Sequence, residues 1–254
     1  MLATGRVRVN GTPVRDGRRA LGAGDVVEIG ERRRAAFLPH GLEVLHEDAD
    51  LLIVLKPAGL LTMATAHERQ RTAYAALRVQ LAGRRPPERL FIVHRLDRDA
   101  SGLLVFAKSP EVKQTLQADF AAHAVERTYA AVVEGRVASP AGVIETRIVD
   151  DVPGRVHLTR DPARGRAAVT RWRLLRAGQH RSLLEVRLET GRRNQIRAHL
   201  ASIGHPIVGD RVYGDRSGPP GRLALHARTL GFMHPRTGKT LRLDAPAPAA
   251  FERV

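Results

Sequence analysis

"HRLDRDASGLLVFAKS", residues 94–109, joins two kinds of pattern in one stretch. Its second half is an apolar run, Leu103 to Ala107, bounded by Gly102 and Lys108, and it reads as a β-strand. Its first half sets Asp97 and Asp99 among Arg95 and Arg98. A solvated surface cluster has this composition. So does a catalytic carboxylate kept ionised by guanidinium groups, placed where a polyanion must arrive.

Working outward, "LFIVHRLD" (90–97) is an apolar strand that runs into the basic motif. A helix follows the second strand: Ser109 is its N-cap, Pro110 fits its first position, and Val112, Leu116 and Phe120 form one apolar stripe. Upstream, "LEVLHEDADLLIVLKPAG" predicts two strands around an acidic turn, halted at Pro57. Downstream, "RTYAAVVEG" is a strand ended by Gly135, and "HRSLLEVRLET" alternates Leu184, Val186 and Leu188 inward. "GRRNQIRAHLASIG" predicts a helix with Ile196, Leu200 and Ile203 on one face and Gly204 closing it. "RTLGFMHPRTGKTLRLDAP" is a terminal hairpin turning between Pro235 and Gly238. Short, mostly antiparallel connections make the class α+β, a mixed and largely antiparallel sheet with flanking helices.

Residues 1–30 form a separate small β unit. "RVRVNG" alternates and ends on the hairpin dipeptide Asn10-Gly11, and "GAGDVVEIG" is a turn and a strand. Residues 31–41, "ERRRAAFLPHG", read as a linker, and 42–254 as the main domain. Thirty residues are too few for an independent core.

The charge is unusual. Forty-two Lys and Arg stand against 26 Asp and Glu, a formal net charge of +16, and four of the 42 are Lys. A GC-rich genome explains Arg in place of Lys but not the surplus over acids. The surplus implies a phosphate-rich partner, reached by steering and counterion release. With no cysteine, disulfides and thiol catalysis are excluded. No run of about 18 apolar residues predicts a membrane span, and no signal peptide is visible, so the expected location is cytoplasmic. The 11 histidines show no metal-ligand spacing, and no glycine pattern after a strand implies a nucleotide cofactor.

At Asp97 the chain closely resembles the RluA-type pseudouridine synthases, which isomerise uridine in rRNA or tRNA. Besides "HRLDRDASGLLVFAKS", four stretches match in order: "VLKPAGLLT" (54–62), "RTYAAVVEG" (127–135), "TGRRNQIRAHLASIGHPIVGDRVYG" (190–214) and "LHARTLGFMHPRTG" (225–238). The resemblance spans residues 42–245 and implies a pseudouridine synthase fold with an RNA-binding cleft; isomerising a base within one nucleotide needs no cofactor, and a monomer is the default expectation. Breaking C1′–N1 and rejoining the sugar to C5 needs an anion facing the sugar or C6 of the base, and the resemblance gives that role to Asp97. It places Arg197 beside that carboxylate, 100 residues away in sequence, and gives Tyr129 a stacking and proton-moving role against uracil. Arg95 is implied in holding the flipped-base geometry of the RNA, and His94, Leu96 and Ile196 in lining the substrate pocket. Read alone, Arg197 is one more helix arginine, Tyr129 a core tyrosine and Arg95 a solvated phosphate contact.

Residues 1–30 resemble the second half of an S4 RNA-binding domain, whose "VNG…GD" signature is present and whose helical first half is not. Either the true start lies upstream or RNA is docked by the catalytic face alone. Two positions depart from the synthase pattern: Ala100 where a Thr is usual, and Asn194 where a His is usual. They leave an alternative standing, a catalytically silent RNA-binding or ribosome-associated relative. Asp99 is read as a supporting residue on the same side of the extended chain as Asp97.

Overall fold

The computed structural model describes residues 7–14, 20–29, 37–152, 154–214 and 221–254. The chain divides into two units, 1–36 and 37–254. In the smaller, β1 (Val7–Val9), β2 (Thr12–Val14) and β3 (Val27–Ile29) make an antiparallel sheet of order β2-β1-β3. Asn10 and Gly11 turn the first hairpin with φ of 52° and 75°, the left-handed geometry that Asn and Gly tolerate. The Asn10 amide donates to Asp25 Oδ1 at 2.7 Å and its carbonyl accepts the Val26 N–H at 2.9 Å, so "VNG" and "GD" are two halves of one lock. Most of the predicted linker, 31–36, lies outside the described residues. Its remainder is built into the larger unit as β4 (Phe37–Leu38) and a 3-10 turn at Pro39–Gly41.

The larger unit runs β5 (Leu42–Glu47), β6 (Leu51–Lys56), α1 (Ala73–Ala82), β7 (Phe91–Ile92), β8 (Ser101–Ala107), α2 (Pro110–Ala121) and β9 (Glu126–Glu134). It continues through β10 (Ala141–Val152), β11 (Arg155–Thr159), β12 (Arg166–Ala177), β13 (Arg181–Leu188), α3 (Gln195–Ser202), β14 (Leu225–Met233) and β15 (Thr240–Asp244). The strands form one sheet of order β11-β10-β12-β13-β9-β14-β8-β6-β5-β4, with β15 beside β14 and β7 beside β8. The pair β14 and β8 is parallel and the other pairs are antiparallel, the α+β class expected from the sequence. Among the described residues no helix is long and apolar enough to cross a membrane.

All seven residues of β8 are buried, because both faces of the strand are covered. Leu103, Val105 and Ala107 pack with Val112 and Leu116 of α2, whose Ser109 accepts the Val112 N–H as predicted. Leu104 and Phe106 pack on the other side with Leu77 and Leu81 of α1. Strand β8 leads directly out of the loop 93–100 that bears Asp97, so this double covering fixes one end of the loop.

Gly102 is where β8 and β14 come closest. Its φ is 121°, and a Cβ there would sit 2.3 Å from the Ala227 carbonyl oxygen. Gly102→Ala is therefore expected to destabilise the larger unit by more than about 2 kcal/mol, through strain and overpacking together. Denaturant unfolding with unchanged slope and a lower midpoint is the expected result. An unchanged midpoint contradicts the packing described.

Two helix details differ from expectation. Helix α3 ends at Ser202, so Ile203 falls on the turn beyond it and is exposed rather than packed. Helix α1 and the long strands β10 and β12 were not anticipated from the sequence.

Candidate active site

The loop 93–100, strand β9 and helix α3 surround a cleft of about 790 Å³. Its walls include Asp97, Tyr129 and Arg197, together with Leu96, Ile196 and Leu225. Groups from three distant segments thus meet, each for a local reason.

Asp97 sits in a loop pinned on both sides. Thr62 Oγ1 donates to the Leu96 carbonyl at 2.9 Å and accepts the Leu96 N–H at 3.1 Å. The fully buried Lys56 donates from Nζ to the carbonyls of Arg98, Pro57 and Leu60 at 3.0, 2.9 and 2.7 Å. The Gly59 N–H adds a second bond to the Arg98 carbonyl at 2.9 Å. Burial pulls the Lys56 pKa down to about 7, against the field of Asp99 and Asp97. Neither Lys56 nor Thr62 drew attention in the sequence, although both lie in "VLKPAGLLT".

Arg197 is buried on α3, but its main partner is not Asp97. Its Nε and Nη2 donate to Asp210 Oδ2 and Oδ1 at 2.7 and 2.8 Å, while Nη1 reaches Asp97 Oδ2 at 3.4 Å. A bidentate fork on one carboxylate leaves the third nitrogen aimed at the other. Burial disfavours the Arg197 charge, yet the hydrogen bonds and field of Asp210, then Asp97, outweigh it and raise the pKa. Burial likewise opposes the Asp210 charge, and Arg197 with the N–H groups of Val212 and Tyr213 holds its pKa below the usual range. The Tyr213 ring lies 5.4 Å from the guanidinium. Asp210 was missed because one acid in "IVGDRVYG" carries no signal beyond its apolar neighbours.

The two departures fit this frame. Asn194 takes a left-handed conformation, φ 52°, which Asn tolerates, and its Oδ1 accepts from Arg197 Nη1 at 3.1 Å. Ala100 is buried among apolar neighbours in the core.

Tyr129 comes from β9 and is buried. Burial pushes its phenol pKa up, with Arg127 opposing and Asp97 reinforcing. Among the described residues its hydroxyl has no hydrogen-bond partner, so it is available to a ligand in the cleft. Arg95 is exposed at the mouth.

His94 lines the cleft but is committed to structure. Its Nε2 accepts the Val105 N–H at 3.2 Å, and its ring stacks on Phe120 at 4.7 Å. Burial, then the Arg127 charge, drops its pKa to about 3, so the ring is neutral. Asp99 does not share the cleft with Asp97, because 93–100 is a loop rather than a strand and alternation fails there. Asp99 pairs with Arg98 at 3.4 Å and faces a second cleft of about 760 Å³ with Arg222.

Away from the cleft, Asp48, Asp50 and His234 offer ligand atoms within 4.8 Å of one another. Their oxygens are engaged: Arg236 Nε donates to both oxygens of Asp50 at 2.7 and 2.8 Å, and His46 and His234 hold Asp48 Oδ2 at 2.7 and 3.2 Å.

A mixed sheet carrying an arginine-rimmed cleft, with a carboxylate, a phenol and a guanidinium at its floor, defines a class of enzyme that works on a base of a polyanion. Comparison with known proteins narrows the class. Residues 50–202 match the family described as RNA pseudouridylate synthase. Ribosomal large subunit pseudouridine synthase D of Zymomonas mobilis is 39% identical over 220 residues, 82% of this chain and 69% of that one. The protein of the same name from Pseudomonas aeruginosa is 35% identical, over 98% of this chain and 83% of its own. Among solved structures, human RNA pseudouridylate synthase domain containing 4 superposes with a TM-score of 0.68 at 25% identity, over 82% of this chain and 90% of that one. The chain belongs to the RNA pseudouridylate synthase family, and the reaction is the isomerisation of uridine to pseudouridine in RNA.

Proposed function

We propose that the protein modifies uridine in ribosomal RNA, with Asp97 as the reacting carboxylate, Tyr129 and Arg197 as its catalytic partners, and Arg95, Leu96 and Ile196 holding the substrate. The observation that carries this reading is the convergence of Asp97, Tyr129 and Arg197 in one cleft. Asp97 is the one acid of the three matched groups and is left half-bonded by Arg197, so an oxygen remains for C1′ of the sugar or C6 of the base. Tyr129 stacks on uracil and takes part when C5 gives up its proton. The names of the relatives favour ribosomal over transfer RNA. An RNA-binding role without chemistry is disfavoured, since Asn194 keeps a hydrogen bond on Arg197 and Asp97, Tyr129 and Arg197 all line the one cleft.

The enzyme works as a monomer in the cytoplasm, where its RNA is, and the small N-terminal unit contributes to RNA binding. The test is to map pseudouridine in ribosomal and transfer RNA from a deletion strain, with and without the gene restored. Loss and recovery at a ribosomal uridine supports the reading. Loss in transfer RNA alone overturns the choice of RNA.

Binding should also weaken steeply with salt. Each neutralised phosphate contributes a slope of about 0.7 for single-stranded RNA. Arg95→Ala is expected to lower the slope of log affinity against log salt by about that amount, measured by filter binding or anisotropy. A slope near zero for the unaltered protein contradicts the electrostatic argument.

A further inference from the structure

Arg127 is a buried cation, 7% exposed, with no carboxylate partner among the described residues. Its Nε has no hydrogen-bond partner, and its guanidinium makes one long bond, 3.4 Å, to the Glu189 carbonyl. An unpaired buried charge costs stability and gives none back. Burial accordingly pulls its pKa down.

Its position is constrained nonetheless. The guanidinium lies over the Phe120 ring at 5.2 Å, and Phe120 is backed by His94 on the stack already described. Gly191 leaves room for it, since a Cβ there would meet Arg127 Nη1 at 2.8 Å. Arg127 and Tyr129 are two residues apart on β9, so both side chains project from the same face of the strand. Both line the cleft that holds Asp97.

We propose that Arg127 takes up the negative charge of the uracil ring while it is detached from the sugar, by donating hydrogen bonds to a ring carbonyl oxygen. This rests on the reading of Asp97, Tyr129 and Arg197 given above. When C1′–N1 breaks, its electron pair stays with the ring and spreads onto O2 and O4, while an Asp97 oxygen bonds the electron-poor C1′ until C5 displaces it. The ring turns, C5 bonds to C1′, C5 releases its proton and N1 takes one up, so nothing is consumed. The ring is anionic between the two bonding events, and a preorganised cation with an unused donor suits that interval. Exposed arginines at the mouth, Arg95 and Arg166, serve phosphates, which keep their hydration. Arg127 lies at the floor, where the base goes.

The test compares the full-length protein with Arg127→Met and Arg127→Lys. Met removes the unpaired charge and keeps an apolar stem on Phe120, so thermal stability should not fall. The substrate is an oligoribonucleotide spanning the mapped uridine, made with uridine, 2-thiouridine or 4-thiouridine at that one position. Arg127→Met should slow single-turnover product formation about 10²–10³-fold, as loss of one charge-stabilising donor does elsewhere. RNA affinity should stay within about twofold, and Lys should restore part of the rate. Sulfur at the contacted carbonyl should slow the unaltered enzyme more than Arg127→Met, since the weaker acceptor matters when the donor is present. Equal slowing of both enzymes by sulfur, or an unchanged rate in Arg127→Met, overturns the proposal. So does weaker binding with a salt slope reduced by about 0.7, the mark of a phosphate contact. Full activity in Asp97→Asn overturns the underlying reading instead, whatever Arg127→Met does.

Discussion

Asp97→Asn is expected to form pseudouridine at least about 1,000-fold more slowly than the unaltered protein in a single turnover, while binding the same RNA at least as tightly. The amide keeps the shape of the carboxylate but cannot act as an anion towards C1′ or C6. Folding should survive, because Arg197 keeps its bidentate contact with Asp210 when Asp97 loses its charge. Binding should not suffer, because removing a negative group from a basic cleft reduces repulsion of the phosphates. Rate and affinity measured on the same oligoribonucleotide separate the two effects. Comparable turnover by both proteins contradicts the role given to Asp97.

The second large effect concerns Arg197, which serves structure and chemistry at once. Arg197→Met strands the Asp210 carboxylate, which is 2% exposed. Breaking a buried pair in this way costs about 3–5 kcal/mol, out of a total stability of about 5–15 kcal/mol for a domain. The single variant should therefore melt well below the unaltered protein, and its low activity alone would say little. The double variant Arg197→Met/Asp210→Asn leaves no charge of this pair stranded, and the amide oxygen at 210 still accepts the Val212 and Tyr213 N–H groups. Its melting temperature should recover most of the loss. Its turnover should remain about 10²-fold down, because the guanidinium beside Asp97 is still absent. Turnover that recovers together with stability assigns Arg197 to structure alone.

The sequence revealed most where a residue type has one local use. Ser109-Pro110 opens α2, Asn10-Gly11 turns the first hairpin, and "GLLVFA" is a strand, because capping, turn geometry and a short apolar run are properties of neighbours in the chain. Helix α1 was legible in principle, since Thr72 accepts the Ala75 N–H as its cap and Ala73, Leu77 and Leu81 recur at spacing four. Its mixed apolar face hid it. Strands β10 and β12 were obscured by arginines that face solvent between buried residues, as at Arg171 and Arg173 around Trp172.

The site was legible through its motifs, and its electrostatics were not. Arg197 reaches Asp97 as expected, but its fork also holds Asp210, 13 positions away and on no shared periodicity. Lys56 and Thr62 act through backbone carbonyls and an N–H, partners that no side-chain pattern encodes. Asp99 was read by strand alternation in a segment that is a loop. Arg127 looked like one basic residue among 42, and its lack of a counter-ion among the described residues is visible when the fold is in place.

The most direct measurement is the structure of the protein bound to an oligoribonucleotide carrying 5-fluorouridine at the target position. Fluorine replaces the C5 hydrogen that must leave, so the reaction should halt in the cleft. The expected result puts C1′ or C6 of that nucleotide within about 3.5 Å of an Asp97 oxygen, its ring against Tyr129 and the Arg127 guanidinium at a ring carbonyl. A target base seated in the second cleft, against Arg98 and Arg222, would contradict the assignment of the reaction to Asp97, Tyr129 and Arg197.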